Sequence, residues 1–135
     1  MYQEKSRKMR AAMLLVLLCV LLQLGTYYAV EYTVGDGKGW SPSIDLWTNG
    51  KTFYPGDVLV FNYDATTHNV VMSETDRAYH ECVVYDYYTF FQTGHDRVTL
   101  PKKGQFSFIS GVNKTGTAFI SQDCVNNWHL VIDVD

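Results

Sequence analysis

The sequence predicts an all-β fold, a Greek-key sandwich or barrel of about seven to eight short strands. Three observations carry this. Segments rich in β-branched and aromatic residues recur along the chain, and Gly, Pro and Asp clusters punctuate them. Only Ser73 to Glu81 has the composition of a short helix within that region. No repeat of 20–50 residues and no low-complexity stretch interrupts the pattern.

The elements follow in order. Residues 1–29 do not belong to the domain. Lys5, Arg7, Lys8 and Arg10 precede an apolar run from Ala11 to Leu24, broken only by Gln23. A basic flank before a short apolar core is the layout of a secretory signal peptide. The run falls short of the roughly 18–20 residues a membrane span requires. Ala29 is the expected last residue of the leader, although Tyr27 is bulky where a small residue is preferred. A single domain at 30–135 remains, large enough for one modest core.

Glu31–Val34 is the first strand, stopped by Gly35-Asp-Gly37 and Gly39. Pro55-Gly56-Asp57 is a strong turn, and Asp57–Tyr63 after it reads as a strand covered on both faces. His68–Met72, Tyr87–Phe91, Arg97–Leu100 and Gln105–Ile109 are the next strands. In the last strand, His129–Val134, Leu130 and Ile132 share one face, with Val131 and Asp133 on the other. Most of the many aromatic rings are expected to be packing. An exposed subset of Tyr85, Tyr87, Tyr88, Phe90 and Phe91 could serve as a sugar- or protein-binding surface.

Charge and cysteine usage bound the function. Residues 30–135 hold seven Lys and Arg against 13 Asp and Glu, a net charge of −6. That excludes the basic face nucleic-acid binding requires. Cys19 lies within the leader, so Cys82 and Cys124 have one possible pairing. Export makes a disulfide their expected state. Asn113-Lys-Thr115 is a candidate glycosylation triplet. No GPI-type tail is evident, so the mature protein is expected to be secreted, extracellular and without a stable membrane span.

No enzyme signature is present. His68, His80, His95 and His129 include no His-x-x-x-His pair, and neither Cys-x-x-Cys nor Gly-x-Ser-x-Gly occurs. No catalytic residue is expected.

One constellation is specific. Gly35-Asp-Gly-Lys-Gly-Trp40, Leu46-Trp47, Lys51-Thr-Phe-Tyr-Pro-Gly-Asp-Val-Leu-Val-Phe-Asn-Tyr63, His68-Asn-Val-Val71 and Cys82 together resemble the phytocyanin family of plant cupredoxins. Thr93-Gly-His-Asp-Arg-Val-Thr-Leu-Pro-Lys-Lys-Gly104 is most similar to its plantacyanin (basic blue protein) branch. The likeness runs almost continuously from Glu31 to Ile109. It implies a cupredoxin-like fold with the disulfide beside a metal loop, and an extracellular copper-dependent electron carrier. A type 1 copper site requires two imidazoles, a thiolate and a weak axial ligand.

Carried over by position, the resemblance assigns the first imidazole to His68. The thiolate position falls on Ser110, or on Ser121 if the echo Phe119-Ile-Ser121 is aligned instead of Phe108-Ile-Ser110. The second imidazole falls on Asp123 and the axial ligand on Trp128. Gly111–Gln122 is longer than the family's loop. With three of four ligands substituted, no cofactor is expected, and copper belongs only to the electron-carrier alternative. The expectation is a monomeric, non-redox recognition module with an unidentified extracellular or cell-wall partner. His129 should point away from the old site, His95 should lie far from it and His80, two residues before Cys82, could be nearer; exposed or satisfied histidines, not a rebuilt site, are expected.

Overall fold

The computed structural model describes residues 2–24, 28–112 and 117–135. Its strands are β1 (Glu31–Thr33), β2 (Val58–Asn62), β3 (Val70–Ser73), β4 (Val83–Val84), β5 (Thr89–Phe91), β6 (His95–Thr99), β7 (Gly104–Ile109), β8 (Phe119–Ile120) and β9 (His129–Val134). Its α-helices are α1 (Tyr2–Leu24), α2 (Arg77–Glu81) and α3 (Gln122–Val125).

Two sheets face each other as a sandwich and do not close into a barrel. One has the order β1-β2-β6, with β1 parallel to β2 and β6 antiparallel to it. The other is antiparallel, in the order β5-β3-β7-β9. The short pair β4-β8 stands apart. These two-residue strands raise the count to nine among the described residues, because two residues cannot show an alternating pattern in sequence.

Strand alternation divides the apolar residues between two clusters. Phe106, Phe108, Leu130 and Ile132 project between the sheets, against Leu59, Phe61, Val98 and Trp40. Val71 and Ile109 point to the opposite face of the larger sheet, where Ala78, Val84 and Cys124 cover them. The β2 sequence follows from this. Leu59, Val60 and Phe61 are all buried, so the strand reads as a continuous apolar run.

Two glycines place Trp40. Gly35 and Gly39 have φ of 74° and 68°. A Cβ on Gly35 would lie 2.1 Å from the Gly39 carbonyl oxygen, and one on Gly39 would lie 2.6 Å from the Asn62 carbonyl oxygen. Only glycine permits both the positive φ and the close approach. The turn delivers the Trp40 N–H to the Asn62 carbonyl at 2.9 Å and sets the indole in the core.

Two features depart from the expected elements. α3 was not foreseen, since Ser73–Glu81 alone was expected to host a helix. Ser121 starts α3 as its N-cap, its hydroxyl accepting from the Cys124 N–H at 3.1 Å. The chain is also helical in α1, where Met13, Leu14, Leu17 and Leu18 are each more than half exposed. Among the described residues, no helix is long and apolar enough to cross a membrane.

Most aromatic rings do pack. Trp40, Phe53, Phe61, Phe106 and Phe108 are buried, while Tyr88 and Phe90 lean on the second cluster and Phe91 on the first. The exposed subset reduces chiefly to Tyr87, which stacks on Tyr85 at 5.2 Å.

A candidate functional site at the head of the sandwich

Four segments meet at one end of the larger sheet: the approach to β3, the end of β7, the start of α3 and the approach to β9. The disulfide fixes this junction. Cys82, in left-handed conformation at the C-terminus of α2, bonds Cys124 in α3 with a Cα–Cα distance of 5.4 Å. The Ser121 N–H donates to the Cys82 carbonyl at 2.7 Å, so the chain flanking the two cysteines is paired as well.

His68, Ser110, Asp123 and Trp128 come together at this junction. The carboxylate of Asp123 is central. One oxygen, Oδ2, lies 2.8 Å from His68 Nδ1 and accepts a hydrogen bond from Ser110 Oγ at 2.7 Å. Ser110 is fully buried, and its hydroxyl oxygen also accepts from the Asn69 N–H at 3.2 Å. The His68 and Asp123 side chains are 23% and 28% exposed, so the cluster opens to solvent on one side. Trp128 closes another side, its ring stacked on His68 at 3.8 Å and 17° and edge-on to Trp40 at 6.0 Å.

Ser121 takes a different part. It caps α3 and donates a short hydrogen bond to the carbonyl of Ser110. Of the two aligned serines, Ser110 is therefore the one that faces the histidine–carboxylate pair.

The other histidines lie elsewhere. His129 faces Asp45 at 3.5 Å and packs edge-on to Tyr79 at 4.1 Å, on the side away from His68. His95 pairs with Asn62 across the smaller sheet. His80 pairs with Asp76 at 3.1 Å on the surface of α2. Asn113 lies outside the described residues.

Asn69 of the His-Asn-Val segment is not among the ligand positions that the resemblance assigns. It is buried and ties the approach to β3 to the backbone of Gly111 and to the Trp40 indole. Its Oδ1 accepts the Gly111 N–H at 2.6 Å, its Nδ2 donates to the Gly111 carbonyl at 3.2 Å, and its own carbonyl accepts from Trp40 Nε1 at 2.9 Å. The signal was present in sequence, as a polar residue at the mouth of an apolar strand. Replacing Asn69 with Ala leaves both backbone groups of Gly111 buried and unpaired. The expected loss is about 2–3 kcal/mol of unfolding free energy, read by denaturant titration.

Chemically, the cluster is a hydrogen-bonded set of one imidazole, one carboxylate and one hydroxyl under an indole. Among the described residues, no three His, Cys, Asp or Glu side chains converge as a metal site. Only His68 and Asp123 could donate to a metal here, and neither is a thiolate.

The chain matches the family model described as a plastocyanin-like domain over residues 40–118. It is 45% identical to the chemocyanin of Lilium longiflorum over 62% of this chain, spanning 65% of that protein. It is 42% identical to the basic blue protein of Arabidopsis thaliana over 74% of this chain and 77% of that one. Its structure resembles that of cucumber basic protein, a blue copper protein, with a TM-score of 0.67 and 28% identity over 78% of this chain and all of that one. Cucumber stellacyanin gives a TM-score of 0.63 and 31% identity over 79% of this chain and 96% of that one. The family-model match and these likenesses place the chain in the phytocyanin family of cupredoxins.

Proposed function

We propose that this chain is a secreted, non-redox phytocyanin whose copper site has become a hydrogen-bonded structural cluster. On this reading the domain acts as an extracellular or cell-wall recognition module. The observation that carries it is the Asp123 carboxylate, bonded at once to His68 and Ser110. Aligned with the family, these are ligand positions, and here they satisfy each other.

The donor set does not fit type 1 copper. That centre requires a thiolate, which supplies its strong charge-transfer absorption and selects the metal by softness. Ser110 offers an alcohol that does not ionise near neutral pH, and its oxygen already accepts one hydrogen bond and donates another. Trp128 carries no axial donor and stacks on the imidazole. The export part of the proposal rests on the basic flank, the short apolar run and the exposed apolar side chains of α1.

Addition of copper to the purified domain is expected to give no intense absorption in the red part of the visible spectrum. The accompanying EPR spectrum should lack the narrow hyperfine splitting of a thiolate-bound centre. A strong band with stoichiometric, tight copper uptake would overturn the reading. The second reading is an extracellular copper electron carrier, favoured by the similarity to proteins named for blue copper. The same titration separates the two.

A further inference from the structure

Asp57 is a buried carboxylate outside the cluster, at 2% exposure. A charge in that position requires compensation. Among the described residues, no Lys, Arg or His forms an ion pair with it. What it does hold is two backbone N–H groups. Oδ2 accepts from Tyr54 at 2.9 Å, within the Pro55-Gly56 turn, and Oδ1 accepts from Val30 at 2.9 Å. The Val30 carbonyl in turn accepts from the Val58 N–H at 2.9 Å, so residue 30 is fixed as the first rung beside β2. Tyr28 and Ala29, immediately before it, are exposed.

The nitrogen that Asp57 reaches across 27 residues is thus the one that follows Ala29, the expected end of the leader. We propose that Asp57 is a docking site for the processed N-terminus: cleavage between Ala29 and Val30 creates an α-ammonium that pairs with the Asp57 carboxylate. The proposal rests on the export reading above, with its expected cleavage after Ala29, and adds the group that receives the new N-terminus. In the step, a leader peptidase uses water to hydrolyse one peptide bond. The water oxygen goes to the Ala29 carbonyl carbon, which leaves as a carboxylate, and both hydrogens of the water end on the Val30 nitrogen, which becomes the α-ammonium. A neutral N–H donated to the carboxylate in the precursor becomes an ammonium–carboxylate ion pair in the mature chain. Processing then locks β1 to β2 more firmly than the uncut chain can.

The surroundings leave the pair to itself. Tyr32 is the titratable side chain coupled to Asp57, with Tyr54 beside it, and burial together with the Asp57 charge pushes the Tyr32 hydroxyl up. Glu31 is engaged by Arg97 at 2.8 Å on the smaller sheet, with His95 beside it. The sign follows directly. The carboxylate raises the folded-state pKa of the amine above its ordinary value of about 7.7–8.0. The added stability is therefore fully present below about pH 8 and is lost as pH rises through the raised folded value.

The test has two arms. The full chain is expressed in a secreting plant cell line, and the exported protein is read by N-terminal sequencing and intact mass. Val30 as first residue is expected. An exported protein that begins at another residue overturns the cleavage assignment and leaves export standing; retention of an uncut chain overturns both.

In the second arm, a domain released to begin at Val30 is compared with its N-acetylated form and with a form extended by Ala29. The free-amine form should melt higher at pH 6 than either, and the difference should vanish near pH 11. The Asp57→Asn variant should abolish the difference at pH 6. Where that variant does not fold, the amine pKa in the folded wild-type domain decides. A value above about 9 supports the pair, and one in the ordinary range overturns it.

Discussion

Replacing both Cys82 and Cys124 with serine is expected to remove about 4 kcal/mol of unfolding free energy. The bond closes a loop with a sequence separation of 42, and the cost of closing such a loop in the unfolded chain sets that figure. For a domain of this size the loss lowers the melting temperature by roughly 15–30 °C. Equilibrium denaturation measures it, and reduction of the unmodified protein should reproduce it. The second consequence is local. Cys124 sits in α3 directly after Asp123, and Ser121 at the cap of α3 is held by the Cys82 carbonyl. Without the bridge, α3 loses its anchor to α2, so the His68–Asp123 contact should loosen before the two sheets part. The imidazole NMR signals of His68 would report this as a shift at denaturant concentrations where the strands remain protected from exchange. A loss below about 1 kcal/mol, or an unchanged His68 signal, would show that the packing of Ala78, Val84 and Ile109 alone holds the junction.

The largest spectroscopic effect is expected from Ser110→Cys combined with Asp123→His and Trp128→Met. These changes restore a thiolate, a second imidazole and a thioether beside His68, the set that type 1 copper requires. The backbone already converges. Oδ2 of Asp123 lies within 2.8 Å of both the His68 and Ser110 side-chain donors, and Trp128 touches His68 face to face. The triple variant should pass from colourless to intensely coloured on copper addition, while variants that retain Ser110 stay pale. That contrast isolates the thiolate as the missing element. A triple variant that folds but binds copper without the band would mean that these four positions are not spaced as a copper cage.

The bridge and the cluster also separate what the sequence carries locally from what it does not. The strands β2, β3, β7 and β9 were legible because each is long enough to display its burial in its own residues, as the alternation of Leu130 and Ile132 shows. The motif Pro-Gly-Asp-Val-Leu-Val-Phe and the His-Asn-Val segment were sufficient to point to the family, and with it to the positions 68, 110, 123 and 128. The two-residue strands β4 and β8 were not legible, since they exist only by pairing with each other. α3 was missed for a related reason: four residues are too few for helical periodicity, and its start depends on a single hydroxyl of Ser121.

By itself, then, the sequence determined the β class and the single available pairing of Cys82 with Cys124, and it carries serine at both positions, 110 and 121, where the resemblance expects a thiolate. These are matters of residue type and spacing, which need no partner. Tertiary structure alone decided which serine, Ser110 or Ser121, meets Asp123, because two equal Phe-Ile-Ser echoes differ only in the strand they pair with. It also decided that Asn69 clamps Gly111, that Trp128 covers His68 and that Asp57 reaches back to Val30. The last three are contacts between residues at least 27 apart in the chain, fixed by sheet register and loop closure.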